Sequence, residues 1–400
     1  MLQRKILSIM ISLLLLLSLT GCWSRRELND LAIVLALGVD KAGDQFEVSV
    51  QVVGPKEVSA KGGGGQTSPV VTYHAIGETV IEAIRRMSTI TARKTYYSHI
   101  RMLILGEELT KSGIKDVLDI MSRDHEFRTD FYVAVAKDTT ARKILGFFTP
   151  LEMVPATNMF NSLESSQKNW APTMEVHLDE LIDALTTRGK NPTLTGIRIH
   201  GDAEFGKTKE NAKRIDPPAV LELSGIGVFR KDKLMGWLDE SESIGFNYLM
   251  DQVKSTINVI RCPKGGKVAT EVINSHAKVT GHVVNGEPEI RVKIELDQNV
   301  ADVGCNLDLT KQQTMHDLDQ RTSKNVADRV KKVIQTAQEK FKVDMFGFGD
   351  TISRDQPKAW KKYESRWESY FPRMNVTVAV KVKTRRLGTV SNSFLQEIKE

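Results

Sequence analysis

Residues 100–136 read IRMLILGEELTKSGIKDVLDIMSRDHEFRTDFYVAVA, and their pattern decides the fold. Ile100 to Leu105 is an apolar run of strand length, broken once by Arg101. Over 107–122, Leu109, Ile114, Val117, Leu118 and Met121 recur at helical spacing. Phe131 to Ala136 is apolar again and reads as a second strand. Strand, helix and strand in alternation indicate mixed α/β structure.

The same alternation extends outward. Upstream, the apolar run 31–39 and the alternating Phe46, Val48, Val50 and Val52 flank Asp40-Lys41-Ala42-Gly43-Asp44, a β-hairpin pattern. Gly62 to Gly65 make a loop, Val70 to His74 return as a strand, and Val80, Ile81, Ile84, Met87 and Ile90 predict a helix over 78–91. Downstream, helices are predicted at 139–148, 150–166 and 176–188, and a strand at Leu194 to Ile199. Residues 200–217 are polar and lead into Pro217-Pro218, which places a domain boundary there. The division is then an N-terminal mixed α/β domain over 22–200, a polar linker over 201–218, and a C-terminal α+β domain over 219–400 that is divisible into two subdomains.

In that second half, 219–230 reads as a strand ending at the turn Lys231-Asp232-Lys233. Alternating strands occupy 266–284 and 289–300, joined at Asn285-Gly286, a tight-turn pair. Val326, Val330, Val333, Ile334, Ala337 and Phe341 stripe one face of a long helix over 312–342. A second helix follows at 357–370. In the last strand Val376, Val378, Val380 and Val382 alternate with Thr377, Lys381 and Lys383. No internal repeat is evident.

The N-terminus carries a different signal. Arg4 and Lys5 precede the apolar run Ile6 to Leu19, 14 residues long, where about 20 are needed to span a bilayer. A basic start, a short apolar core and a small-residue site make a secretory signal peptide over 1–21. Leu19-Thr20-Gly21-Cys22 resembles the bacterial lipobox. Cleavage would leave Cys22 first, carrying covalent diacylglyceryl and N-acyl lipid, and two or three acyl chains anchor stably where one is marginal.

Of 400 residues, 56 are Lys or Arg and 50 Asp or Glu, a net charge of +6, which removal of Arg4 and Lys5 lowers by two. This mild, dispersed excess gives no support for nucleic-acid binding. Beyond Cys22 only Cys262 and Cys305 remain. Outside the cytosol they can close one bridge, or stand as two small buried hydrophobes; the expectation adopted is two free thiols. No CxxC or HExxH pattern supports a metal site. Gly201-Asp-Ala-Glu-Phe-Gly206-Lys207-Thr208 matches the phosphate-loop pattern, but Asp202 and Glu204 would meet an anion and the following segment is too short and polar for a packed helix. We read it as a polar loop and expect no nucleotide. His99, His125 and His316 fall in no catalytic or metal spacing, and no G-x-S-x-G elbow occurs; no enzyme is expected, and no cofactor. Trp360, Tyr363, Trp367, Tyr370 and Phe371 are expected as core, and Met345-Phe346-Gly347-Phe348-Gly349-Asp350 as a helix C-cap with its hydrophobic contact.

Several stretches, in order, resemble the Ger(x)C family, the C subunits of spore nutrient-germinant receptors. They are Cys22-Trp23-Ser24-Arg25-Arg26-Glu27-Leu28-Asn29-Asp30, the Ala-Leu-Gly-Val-Asp of 36–40, Ser98-His99-Ile100-Arg101, and Leu105-Gly106-Glu107-Glu108. In the second half come Leu234-Met235-Gly236-Trp237-Leu238, Cys305-Asn306-Leu307-Asp308-Leu309-Thr310, Phe346-Gly347-Phe348-Gly349 and Trp360 to Pro372. The likeness covers 22–388. It implies a multi-domain α+β or mixed α/β body without a catalytic site. It implies a lipoprotein on the outer face of the inner spore membrane or cell membrane, assembled with two integral-membrane receptor subunits of the A and B types. The alternative is a solute-binding lipoprotein of an ABC-type importer, which requires two hinged lobes.

Overall fold

The structure, a computed structural model, describes residues 3–10, 30–53, 68–263, 265–305 and 307–386. The lipobox Leu19, Thr20, Gly21 and Cys22, the Arg25 to Leu28 stretch and Gly62 to Gly65 lie outside the described residues. No helix among the described residues is long and apolar enough to cross a membrane.

The mixed class expected from the sequence is observed, as two sheets packed with helices. The first holds β1 (Leu31–Ala42), β2 (Gln45–Val53), β3 (Val70–Gly77), β4 (Lys94–Tyr96), β5 (Met102–Gly106), β6 (Tyr132–Ala136), β7 (Thr193–Gly201), β8 (Ala219–Arg230) and β9 (Lys233–Trp237). Its order is β3-β2-β1-β5-β6-β7-β8-β9, with β4 against the start of β1. The centre, β1-β5-β6-β7, is parallel and both wings are antiparallel. Every residue of β5 and β6 is buried, as befits parallel strands covered on both faces. Helices Val80–Arg86, Lys115–Arg123 and Leu178–Thr186 supply one cover, Ala141–Leu145 and Pro155–Asn169 the other. The helix expected over 107–122 is two, Glu107–Ser112 and Lys115–Arg123, because Gly113 takes φ 131 and donates its N–H to Leu109 O.

The polar segment 201–218, read as a linker, begins and ends in the first sheet. β7 pairs with β8 antiparallel through Gly201↔Ala219, so the polar segment is a connection inside the first sheet, folded into short helices Ala203–Gly206 and Lys209–Lys213. Its polarity reports exposure, not the end of a sheet.

The second sheet runs β10 (Thr256–Arg261), β11 (Lys267–Val284), β12 (Glu287–Val303) and β13 (Asn375–Arg386) in that order. β11 and β12 form a long hairpin whose turn residues Asn285 and Gly286 take φ 52 and φ 79, the left-handed pair a two-residue I′ turn requires. Helix Gln312–Gln335 continues as a π-turn, Thr336–Phe341, and ends at Lys342 in the left-handed region. All six stripe residues named from the sequence are buried. β10 and helix Glu240–Leu249 were not read from the sequence. From Glu242 to Leu249 every residue of that helix is buried, so it carries no stripe to read. One core cluster spans the two sheets, joining Ile226 and Val228 of β8 to Ile290, Val292, Ile294 and Leu296 of β12 and to the long helix.

Candidate functional site

The first strand of the body lies inside the sheet, not at its edge. The described body resumes at Asp30, directly before β1, and β1 is bonded to β2 on one side and to β4 and β5 on the other.

Three of the stretches that carry the family likeness converge at the carboxyl ends of β1, β5 and β6. Asp40 is buried, and its carboxylate accepts the N–H of Ala141 at 2.8 Å and of Arg142 at 2.9 Å, capping helix Ala141–Leu145. Burial pushes the Asp40 carboxyl up, against those two donors. Gly106 is required here, since a Cβ would stand 2.1 Å from Asp40 Oδ1. Glu107 accepts from Asp138 N–H at 2.6 Å and from the Trp237 indole N–H at 3.2 Å, with Lys111 at 3.3 Å. Partial burial opposes its charge, but those donors outweigh it and hold the carboxyl below its usual range. The Lys137 ammonium lies 4.9 Å from the Trp237 ring centroid and 3.3 Å from Ser224 Oγ, and desolvation lowers its pKa. Each acid is spent on backbone or indole donors. These bonds fix β9 and helix Ala141–Leu145 to the parallel strands.

A second convergence locks the two halves together. Asp344 is buried and accepts five donors. Oδ1 takes the N–H of Phe346, Gly347 and Phe348 at 3.2, 3.0 and 3.1 Å; Oδ2 takes Gly349 N–H and Trp367 Nε1–H, both at 2.9 Å. Burial pushes its pKa up to about 6 against those donors. Gly349 and Gly189 meet backbone to backbone, where a Cβ on Gly349 would be 2.6 Å from Gly189 Cα. Asn191 N donates to Asp344 O at 2.9 Å while its Oδ1 accepts Lys231 N–H at 2.8 Å. Trp360, Tyr363, Trp367, Tyr370 and Phe371 are buried as core, as expected, and Phe346 and Phe348 are buried with them. Beside the lock lies a groove of about 560 Å³ whose lining includes Glu175, His177, Lys190, Phe246 and Lys254.

Cys262 and Cys305 stand as a disulfide. Of the two alternatives open in the sequence the structure contains the bridge, and the free-thiol expectation is corrected. Burial signals from Leu307 and Leu309 pull the segment after β12 onto Ile260 and Val268, and that packing brings the two cysteines together. In the phosphate-loop match, Asp202 accepts the N–H of Glu204 and Phe205, and Lys207 pairs with Glu204 at 2.6 Å. The N–H groups a phosphate would use already face a carboxylate. His99 packs edge-on to Tyr96, His125 is exposed beside Asp124, and His316 meets Gln320; the structure brings none of the three together. Among the described residues no group of His, Cys, Asp or Glu could hold a metal. Asp344 was missed in the sequence. Its signal was there: an acid two residues ahead of a Phe-Gly-Phe-Gly run, whose successive N–H groups need an acceptor.

Two family models match, the spore germination protein N-terminal domain over 24–199 and the spore germination B3/GerAC-like C-terminal domain over 224–388. Their limits fall at the division read from the sequence, although the first sheet crosses it. The chain is 30% identical to spore germination protein KC of Bacillus subtilis (strain 168) over 99% of each chain. It is 25% identical to spore germination protein A3 of the same strain, over 93% of this chain and 95% of that one. The crystal structure of the GerBC protein superposes with a TM-score of 0.56 at 18% identity, over 87% of this chain and 96% of that one, and shares the fold. This chain belongs to the GerAC, or Ger(x)C, family of spore germination proteins.

Proposed function

We propose that this chain is the non-enzymatic C-type subunit of a germinant receptor. Lipid on Cys22 holds it at the outer face of the inner spore membrane or cell membrane, and it acts by assembling with two integral-membrane subunits of the A and B types. One observation carries the reading: likeness to germination proteins runs through both halves of the body, and where the described residues of those stretches converge they bond to the body's own backbone and side chains. A tether raises the effective concentration of the body for embedded partners, so weak contacts suffice. The importer reading finds less support, because a core cluster shared by both sheets leaves no hinge between lobes. The test is co-purification from detergent-treated spore membranes, with a strain lacking the gene as its counterpart. The expected result is recovery with two multi-span subunits, and loss of response to one receptor's nutrients while nutrient-independent germination survives. Purification alone, with normal responses in the deletion strain, overturns the reading. Cys22→Ala should abolish lipid labelling.

A further inference from the structure

Two loop tips on the first half expose large apolar side chains. Leu151 is 99% exposed, Met153 60% and Ile215 106%. Scattered exposed hydrophobes are ordinary. These are not scattered, because one buried residue clamps both loops: Asn211 donates to Phe148 O and to Ala219 O, each at 3.0 Å, and accepts Ala219 N–H at 3.2 Å. Phe148 N–H adds a bond to Gly206 O at 2.8 Å, and Gly206 packs so close to the Phe147 ring that a Cβ would stand 2.2 Å from it. Pro150 and Pro217-Pro218 stiffen the tips. Rigid tips carrying bare aliphatic side chains therefore project from a well-packed base.

We propose that Leu151, Met153 and Ile215 form a membrane-contact patch that dips into the lipid interface and fixes how the tethered body lies on the bilayer. The inference rests on the lipid anchor at Cys22. Seven residues lie between Cys22 and Asp30, eight steps with a reach of at most about 28 Å when extended, so the body stays within one domain diameter of the surface. A lipid occupant suits the chemistry. The tips carry only Leu, Met and Ile as exposed large apolar side chains, whereas protein contact centres are enriched in Trp, Tyr and Arg. Around the tips, residues 142–153 and 202–216 hold six basic and five acidic side chains. Contact is therefore driven by apolar insertion and depends little on anionic lipid or salt.

The test places an environment-sensitive fluorophore at Leu151→Cys or Ile215→Cys, with Lys278→Cys on the second sheet as the water-exposed control. The lipidated chain is reconstituted in vesicles of phosphatidylcholine, with and without phosphatidylglycerol. Labels at 151 and 215 should shift to the blue and be quenched by nitroxide lipids about 5–10 Å below the headgroups, equally in both vesicle types, while the label at 278 stays in water. A Cys22→Ser chain held by an N-terminal histidine tag on chelating lipid should give the same shifts, which separates failure of the anchor from failure of the patch. Labels at 151 and 215 that match the control in both formats overturn the proposal. Shifts that arise only when the multi-span subunits are added overturn it in favour of a protein contact.

Discussion

The two sheets of this molecule differ in how many faces they bury. In the first, β5 and β6 are buried at every position, and helices lie on both sides. In the second, β12 alternates: Ile290, Val292, Ile294 and Leu296 are buried, while Arg291, Lys293 and Glu295 face water. The centre of the first sheet can therefore vary only at its strand ends, and that is where Asp40, Gly106, Glu107 and Trp237 meet. The second offers a broad charged face free to vary. Even its edge is managed from within, since helix residues Asp319 and Ser323 bond Thr384 N at 3.0 Å and Val380 O at 2.5 Å.

The sharpest way to break this picture is to cut the seam between the two regions. Asp344→Ala would leave four backbone N–H groups and the Trp367 indole without an acceptor, and breaking a buried charged network of this kind costs about 3–5 kcal/mol. Urea midpoints should fall accordingly. A loss under about 1 kcal/mol would show that the halves are held by apolar contact alone.

The disulfide sets the next scale. Cys262 and Cys305 are 43 residues apart, and in the chain-entropy model closing such a loop contributes about 3–4 kcal/mol. Thiol counting on the denatured, unreduced body should find neither cysteine free, and Cys262→Ser should lower the unfolding midpoint while β1 to β9 keep their protection from hydrogen exchange. Loss of protection across both sheets at once would mean that they unfold as one unit.

A smaller effect tracks pH. The Asp344 carboxyl is raised to about 6 in the folded chain, from about 3.9 when unfolded. The folded state thus binds the proton more tightly, and the contribution is fully present below about pH 4 and lost as pH rises through about 6, a change of up to about 3 kcal/mol. Stability of the wild type relative to Asp344→Asn should therefore decline across that window. A difference that rises with pH would reverse the assignment.

What was legible in the sequence follows the same division. Continuous apolar runs gave β5 and β6, and strict alternation gave β11, β12 and β13. Helix Glu240–Leu249 was hidden because burial on all sides erases periodicity, and β10 because six residues between turns carry too little pattern. The segment 201–218 read as a linker because its composition is that of exposed loop, whereas pairing of Gly201 with Ala219 is a non-local fact. Glu107 and Trp237 were each singled out, but their 3.2 Å contact spans 130 positions and has no local signature.

The smallest effect tests the wet face directly. Lys293 and Glu295 pair at 2.6 Å on β12, with side chains 65% and 52% exposed. Such pairs contribute little, because solvent screens the attraction and holding two long side chains costs entropy. Lys293→Ala should thus leave stability nearly unchanged, with any difference vanishing in high salt. One position along, Ile294 faces the long helix and is fully buried, so Ile294→Ala should cost about 2–5 kcal/mol through lost transfer and an unfilled cavity. A single step along one strand then separates a tolerant position from an intolerant one. In β5 no such step exists, and alanine at Leu103 or at Ile104 should be costly alike. If Lys293→Ala proved as damaging as Ile294→Ala in the isolated chain, the second sheet would be covered on both faces and the contrast between the two regions would fail.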